Sequence, residues 1–255
     1  MLLIVQALLF CVATGCAKQQ IQPAINNGSS NNNDSTITDT TMTDTTTNID
    51  TMPHIGNYTW LALGDSYTIG QSVSEAERFP AQTAALLEND SLVFTTPQYI
   101  ATTGWTTVNL LNAIAQQNPQ GPFDIVTLLI GVNDQYQQLD INSYNANFTA
   151  CLQKAIVLAG NRKDHVFVLS IPDYSVTPFA QQSDTAQIHR EIDNYNAINK
   201  AITLSYKISY TDITPTTREM KNDPSLIAYD GLHPSGKEYA KWAAMLAPAI
   251  ANALK

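Results

Sequence analysis

Two strand-length stretches dominated by apolar residues, Asp124 to Ile130 and Val166 to Ile171, constrain this chain more than any other feature of it. A strand with one buried face alternates apolar and polar residues. A run that is apolar throughout has both faces covered, as in the middle of a parallel sheet flanked by helices. Between the two runs lies a helical pattern from about Tyr144 to Ala159. Parallel neighbours need such a crossover, because a tight hairpin can join only antiparallel strands.

The rest of the chain repeats this alternation. Tyr58 to Leu63 reads as a strand that stops at Gly64-Asp65-Ser66, and Phe79 to Leu87 as a helix. Leu92-Val93-Phe94 and Tyr99-Ile100-Ala101 bracket a second strand region, followed by a helix from about Thr106 to Gln116. Thr185 to Ser205 carries Ile188, Ile192, Tyr195, Ile198 and Ile202 on one helical face. Tyr206 to Ile213 reads as a last short strand, and Ser235 to Leu254 as a closing helix with Pro234 near its first turn. The pattern implies an α/β domain with a mostly parallel sheet and helices on both faces.

This domain occupies residues 58–255. The first fifteen residues carry no charge, and Leu2 to Val12 is apolar except for Gln6. That is too short to span a bilayer and reads as a signal peptide over 1–15. Ala13-Thr14-Gly15-Cys16 resembles the lipobox of bacterial lipoproteins, which implies lipidation of Cys16, a membrane-anchored mature protein and a place in the bacterial cell envelope. Ordinary secretory cleavage, with Cys16 incidental, is the alternative. From 16 to 57 the residues are mainly Asn, Thr, Ser and Asp. Such a segment cannot bury enough apolar surface to offset its ordering entropy and reads as a disordered tether. Acidic residues outnumber basic ones by 22 to 13, a net charge of −9. A surface that neutralises phosphates is thereby excluded, and no nucleic-acid partner is expected. Three cysteines, at 11, 16 and 151, cannot build a disulfide scaffold. A monomer is expected.

In parallel sheets, ligands bind beyond the carboxyl ends of the strands. Those ends are followed by Gly64-Asp65-Ser66-Tyr67, by Thr103-Gly104-Trp105 and by Gly131-Val132-Asn133-Asp134, while Asp230-Gly231-Leu232-His233 precedes the last helix. In this order the blocks resemble the GDSL/SGNH hydrolase superfamily over the whole folded part. The resemblance maps the four namesake residues onto Ser66, Gly104, Asn133 and His233, with Asp230 three residues before the histidine. Tyr67 stands where the four-letter name has leucine. It also implies a three-layer α/β/α sandwich, flavodoxin-like, with a five-stranded sheet.

The chemistry agrees with the mapping. A serine hydroxyl needs a base within hydrogen-bond reach, itself oriented by a third group. His233 is the candidate base, since His54 lies in the tether, His165 precedes a strand and His189 sits within a helix. Asp230, on a short glycine-containing loop, can fold back to the imidazole. The oxyanion of an acyl-transfer intermediate needs fixed donors, expected from the Ser66 and Gly104 backbone N–H groups and the Asn133 amide. Asp65 and Asp134 are expected to hold their loops, and Asp173, after the fourth strand, to touch substrate or cap a turn. Cys151 reads as a small buried apolar residue. No metal-ligand spacing and no phosphate loop is present, so neither metal nor cofactor is expected. The expected function is serine esterase activity through an acyl-enzyme. Short acyl groups on glycans or small esters come first, with a lysophospholipase or thioesterase as the alternative within the superfamily. A non-catalytic envelope binding protein is the alternative of another class.

Overall fold

The computed structural model describes residues 57–255. The expected signal segment, Cys16 and the tether up to residue 56 lie outside the described residues. In chain order the elements are β1 (Trp60–Gly64), α1 (Ser66–Ile69), α2 (Phe79–Glu88), β2 (Gln98–Ala101), α3 (Thr107–Gln117), β3 (Ile125–Leu129) and α4 (Val132–Tyr136). They continue with α5 (Ile141–Leu158), β4 (Val166–Leu169), α6 (Thr185–Ser205), β5 (Ser209–Thr211), α7 (Thr214–Arg218) and α8 (Gly236–Ala253). The five strands form one sheet in the order β2-β1-β3-β4-β5, with every pairing parallel. This order is that of doubly wound, flavodoxin-like sheets.

Right-handed crossovers explain the layering. The chain moves to one side of β1 through α2 and to the other side through α3, so these helices cover opposite faces. α8 packs along α2, whereas α3, α5 and α6 pack in succession on the other face. β1, β3 and β4 are buried along their whole lengths, which is why they are apolar but for Thr127. Thr127, polar within β3, accepts a hydrogen bond from the Trp60 indole N–H at 3.1 Å, so neither buried polar group is left unpaired.

One expectation changes. The buried stripe of α6 is Ile188, Ile192, Tyr195, Asn199 and Thr203, while Ile198 and Ile202 are only partly buried. Asn199 takes the core position because its amide is fully used: Nδ2 donates to Tyr144 Oη at 3.2 Å and Oδ1 accepts from Tyr210 Oη at 2.7 Å. The short helices α1, α4 and α7 leave no trace in the sequence pattern, since four or five residues are too few to display a helical period.

Register determines where the loops meet. Gly64, the last residue of β1, lies opposite Ala101 of β2 on one side and Leu129 of β3 on the other. Ser66, Gly104 and Asn133 follow those three residues by two to four positions and therefore emerge at one rim. It is the rim of the crevice where the winding reverses about β1, the place where ligands of such sheets bind.

Candidate active site

Ser66 opens α1. Asp65 caps this turn by accepting from the Tyr67 N–H at 3.0 Å, and it is fully buried. Its other carboxylate oxygen has no hydrogen-bond partner among the described residues. Burial, with a smaller contribution from the nearby Asp134 charge, raises its pKa from 3.8 to about 8 despite the Tyr67 bond. Asp65 is therefore a neutral acid below that pH. Asp134 links two of the rim segments: Thr107 N–H and Oγ1–H, at the start of α3, donate to its two oxygens at 2.9 and 2.5 Å.

Asp230 and His233 sit on a tight loop closed by an antiparallel bridge between Ile227 and Pro234 and by the Ala228 N–H donating to the His233 carbonyl at 2.8 Å. Within it, one Asp230 oxygen accepts the Leu232 and His233 backbone N–H groups, each at 2.9 Å. The other lies 2.6 Å from His233 Nδ1 and 2.6 Å from Ser72 Oγ. An ionised carboxylate can only accept, so Nδ1 carries a proton, and in the neutral imidazole this leaves Nε2 as an acceptor. Ser66 Oγ lies 2.9 Å from that Nε2. Partial burial works against ionisation of Asp230, but the donors from Ser72, His233 and the backbone outweigh it and bring its pKa down to about 2. The Tyr67 ring packs against the imidazole with centroids 5.0 Å apart.

Ser66, Gly104, Asn133 and His233 all line one cleft of ≈ 220 Å³. Gly104 has φ +81° with nothing within 4 Å of where a Cβ would stand, so it is required by its backbone conformation and not by crowding. Gly131 is required on both grounds: φ is +131° and a Cβ would lie 2.6 Å from the Tyr144 ring. The Asn133 amide donates one hydrogen to the Trp105 carbonyl at 3.0 Å and keeps a second for a ligand.

Asp173 does not line this cleft. It is buried, accepts from the Ser175 N–H, and pairs with Arg218 Nε at 2.9 Å and His189 Nδ1 at 2.7 Å. Burial alone would raise its pKa, but the Ser175 and Arg218 hydrogen bonds hold it below the ordinary carboxylate value. Cys151 is buried away from the cleft, and burial pushes its thiol well above its ordinary pKa. Among the described residues, no group of three or more His, Cys, Asp or Glu is placed to hold a metal ion.

Three aromatic residues complete the cleft: Tyr136, Tyr174 and Phe179, with ring centroids 5.9–6.3 Å apart. Sequence reasoning missed all three. Tyr136 could have been suspected from its place one helical turn after Asn133, but nothing local marks Phe179, which arrives from the segment after β4. Ser72 was missed as well.

The GDSL-like lipase/acylhydrolase family model matches residues 62–241, from β1 through the first turns of α8, and so includes every rim block. The chain belongs to this family. As a member it is a carboxylic ester hydrolase. No curated protein matches it in sequence. Solved structures share its fold: a psychrotrophic esterase from Pseudoalteromonas sp. at 14% identity and TM-score 0.57, over 77% of this chain and 98% of that one. A lipase/acylhydrolase from Enterococcus faecalis matches at 18% identity and TM-score 0.58, over 76% and 96%. An acetylxylan esterase from Geobacillus stearothermophilus matches at 20% identity and TM-score 0.55, over 78% and 95%. At these identities the likeness concerns the fold, and the three-layer sandwich expected of this family member is the one observed.

Proposed function

We propose that this esterase hydrolyses esters of short acyl groups, such as acetyl groups on glycans or other small esters, through an acyl-enzyme on Ser66. The observation that carries the reading is the unbroken chain from Ser66 Oγ to His233 Nε2 and from His233 Nδ1 to Asp230, opening onto the cleft. Ser66 Oγ attacks the ester carbonyl carbon as its proton passes to His233 Nε2. The imidazolium formed is stabilised by Asp230, which stays ionised across the working pH range because its pKa is about 2. The carbonyl oxygen, now negative, faces the backbone N–H groups of Ser66 and Gly104 and the free hydrogen of the Asn133 amide. Collapse of the intermediate breaks the bond to the alcohol, which leaves with the proton from His233. A water then attacks the acyl-enzyme, giving its proton to His233, and the acid departs as Ser66 is restored.

Support for a short acyl group comes from size and lining. At ≈ 220 Å³ the cleft falls below the range of about 300–1,000 Å³ that holds a whole drug-sized ligand. Its wall at Tyr136, Tyr174 and Phe179 is aromatic, which suits a small apolar acyl or methyl group. Sharing the fold with an acetylxylan esterase is in keeping with this choice. The proposal extends to a monomer held at the bacterial cell envelope by a lipid on Cys16.

The test is labelling by a fluorophosphonate probe followed by a p-nitrophenyl ester panel. The parent should label and Ser66→Ala should not, while keeping the parent's far-ultraviolet circular dichroism. Turnover should be greatest on acetate and butyrate. A parent that does not label would mark a non-catalytic binding protein, and a preference for long chains or lysophospholipid would replace the short-acyl reading by a lipase one.

A further inference from the structure

The loop after α1 makes three connections that the proposed mechanism does not use. Gln71 N–H donates to the carbonyl of Ser66 at 2.9 Å. The Gln71 side-chain carbonyl accepts from Thr103 Oγ1 at 2.7 Å, next to Gly104. Ser72 Oγ donates to the Asp230 oxygen that also accepts from His233, at 2.6 Å, across 158 residues of sequence. Two adjacent residues thus touch the nucleophile's turn, the loop bearing Gly104 and the acid of the triad.

Ser72 makes its bond from a conformation that serine rarely adopts. Its φ is +70°, in the left-handed region, where a Cβ is unfavourable and glycine is the ordinary occupant. Gly104, with φ +81° and nothing within 4 Å of where a Cβ would stand, shows what the chain uses when only the backbone angle matters. A serine in that conformation is a strained residue held by its surroundings, and such residues collect where a side chain has work to do. Here the hydroxyl's partner is Asp230.

We infer that Ser72 is a positioning residue of the esterase site, a fourth group behind Ser66, His233 and Asp230 that fixes the Asp230 carboxylate toward His233. This rests on the serine-esterase reading above. With the hydroxyl present, Asp230 has a donor on each side of its outer oxygen and two backbone donors on the inner one, so the carboxylate cannot rotate without breaking a charge-assisted bond. The groups facing that carboxylate are Ser72 from the loop after α1, His233 and the Leu232 and His233 backbone from its own loop, and, within electrostatic reach, the phenols of Tyr67 on α1 and Tyr239 on α8, which burial keeps neutral.

The experiment compares parent, Ser72→Gly and Ser72→Ala in fluorophosphonate labelling rate and in the pH profile of kcat/KM on p-nitrophenyl acetate. Glycine accepts φ +70° freely, so Ser72→Gly removes the hydroxyl while keeping the loop, and it decides the matter if Ser72→Ala fails to fold. Both variants should label and turn over about 10-fold more slowly, the size expected for losing one hydrogen bond to a charged group. KM should stay within about twofold of the parent, since a positioning role leaves substrate binding in place. The acid limb of kcat/KM, where His233 takes up a proton and can no longer act as the base, should move to higher pH, because the Asp230 charge, no longer shared with the Ser72 hydroxyl, holds that proton more strongly. Parental rates in Ser72→Gly overturn the inference, whether or not Ser72→Ala is slow, since the effect would then belong to the backbone. A slower Ser72→Gly with an unmoved acid limb overturns it too. Absence of labelling in the parent instead removes the serine-esterase reading on which it stands.

Discussion

Replacing Asp65 by asparagine should make the protein more stable, and increasingly so as pH rises. Asp65 lies fully buried beneath the nucleophile with one oxygen unpartnered, and its pKa in the fold is about 8 against an ordinary 3.8. Between those two values the folded protein holds a proton that the unfolded chain has released. Stability must therefore fall as pH rises through this window, by about 1.4 kcal/mol per unit, and level off above about pH 8. From pH 4 to pH 7 the loss is about 4 kcal/mol. The asparagine of the variant would keep the oxygen that accepts the Tyr67 N–H and has nothing to ionise in either state. Urea unfolding followed by tryptophan fluorescence, at half-unit steps from pH 4 to 9, gives the difference between Asp65→Asn and parent. The slopes from Asp173 and Asp230 are common to both proteins and cancel, while the smaller coupling between Asp65 and Asp134 is part of the difference. The difference should grow by about 4 kcal/mol from pH 4 to pH 7 and then flatten above about pH 8. Two curves that stay parallel to within about 1 kcal/mol over that range would refute the reasoning, since Asp65 would then be ionised in the fold at neutral pH.

Asn133→Ala should lower kcat about 10²- to 10³-fold on p-nitrophenyl acetate if its amide serves the oxyanion, and a parental kcat would take Asn133 out of the mechanism. Asp134→Ala leaves the buried Thr107 N–H and hydroxyl without their acceptor and should cost about 2–3 kcal/mol in urea unfolding at pH 7. The Asp230 pKa is depressed in the fold, so its contribution to stability is present above the ordinary carboxylate value and disappears as pH falls from about 4 to about 2. The gap in urea midpoint between parent and Asp230→Asn should accordingly be wider at pH 5 than at pH 2.5, and an unchanged gap would contradict the hydrogen-bond assignment.

The elements that are legible in the sequence are those whose cause is local. α6 can be read at its observed limits because Asp184 supplies an N-cap and the apolar spacing runs from Ile188 to Ile202, through most of its twenty-one residues. β3 and β4 can be read within a residue or two because a strand buried on both faces leaves an unmistakable apolar run. The interior of α6 is legible only in part, since the suitability of Asn199 for the core depends on two tyrosine hydroxyls contributed by α5 and β5. Composition cannot show that, because burying an amide is unfavourable until its partners are in place.

What the chain alone determined is the alternation of strands and helices, hence a parallel sheet, and the polar blocks that follow three strands and precede the last helix. Alternation and blocks follow from periodicity and turn chemistry, which act over a few residues; the resemblance to the family is what singled out Ser66, Gly104, Asn133, Asp230 and His233 within them. The tertiary structure alone decided that the blocks converge, through the register of β1 with β2 and β3. It also decided that Tyr136, Tyr174 and Phe179 close the cleft and that Ser72 reaches Asp230. Those pairings join segments up to 167 residues apart. No short-range pattern can encode such a contact; it exists only once strand order and crossover hand have brought the segments to one edge of the sheet.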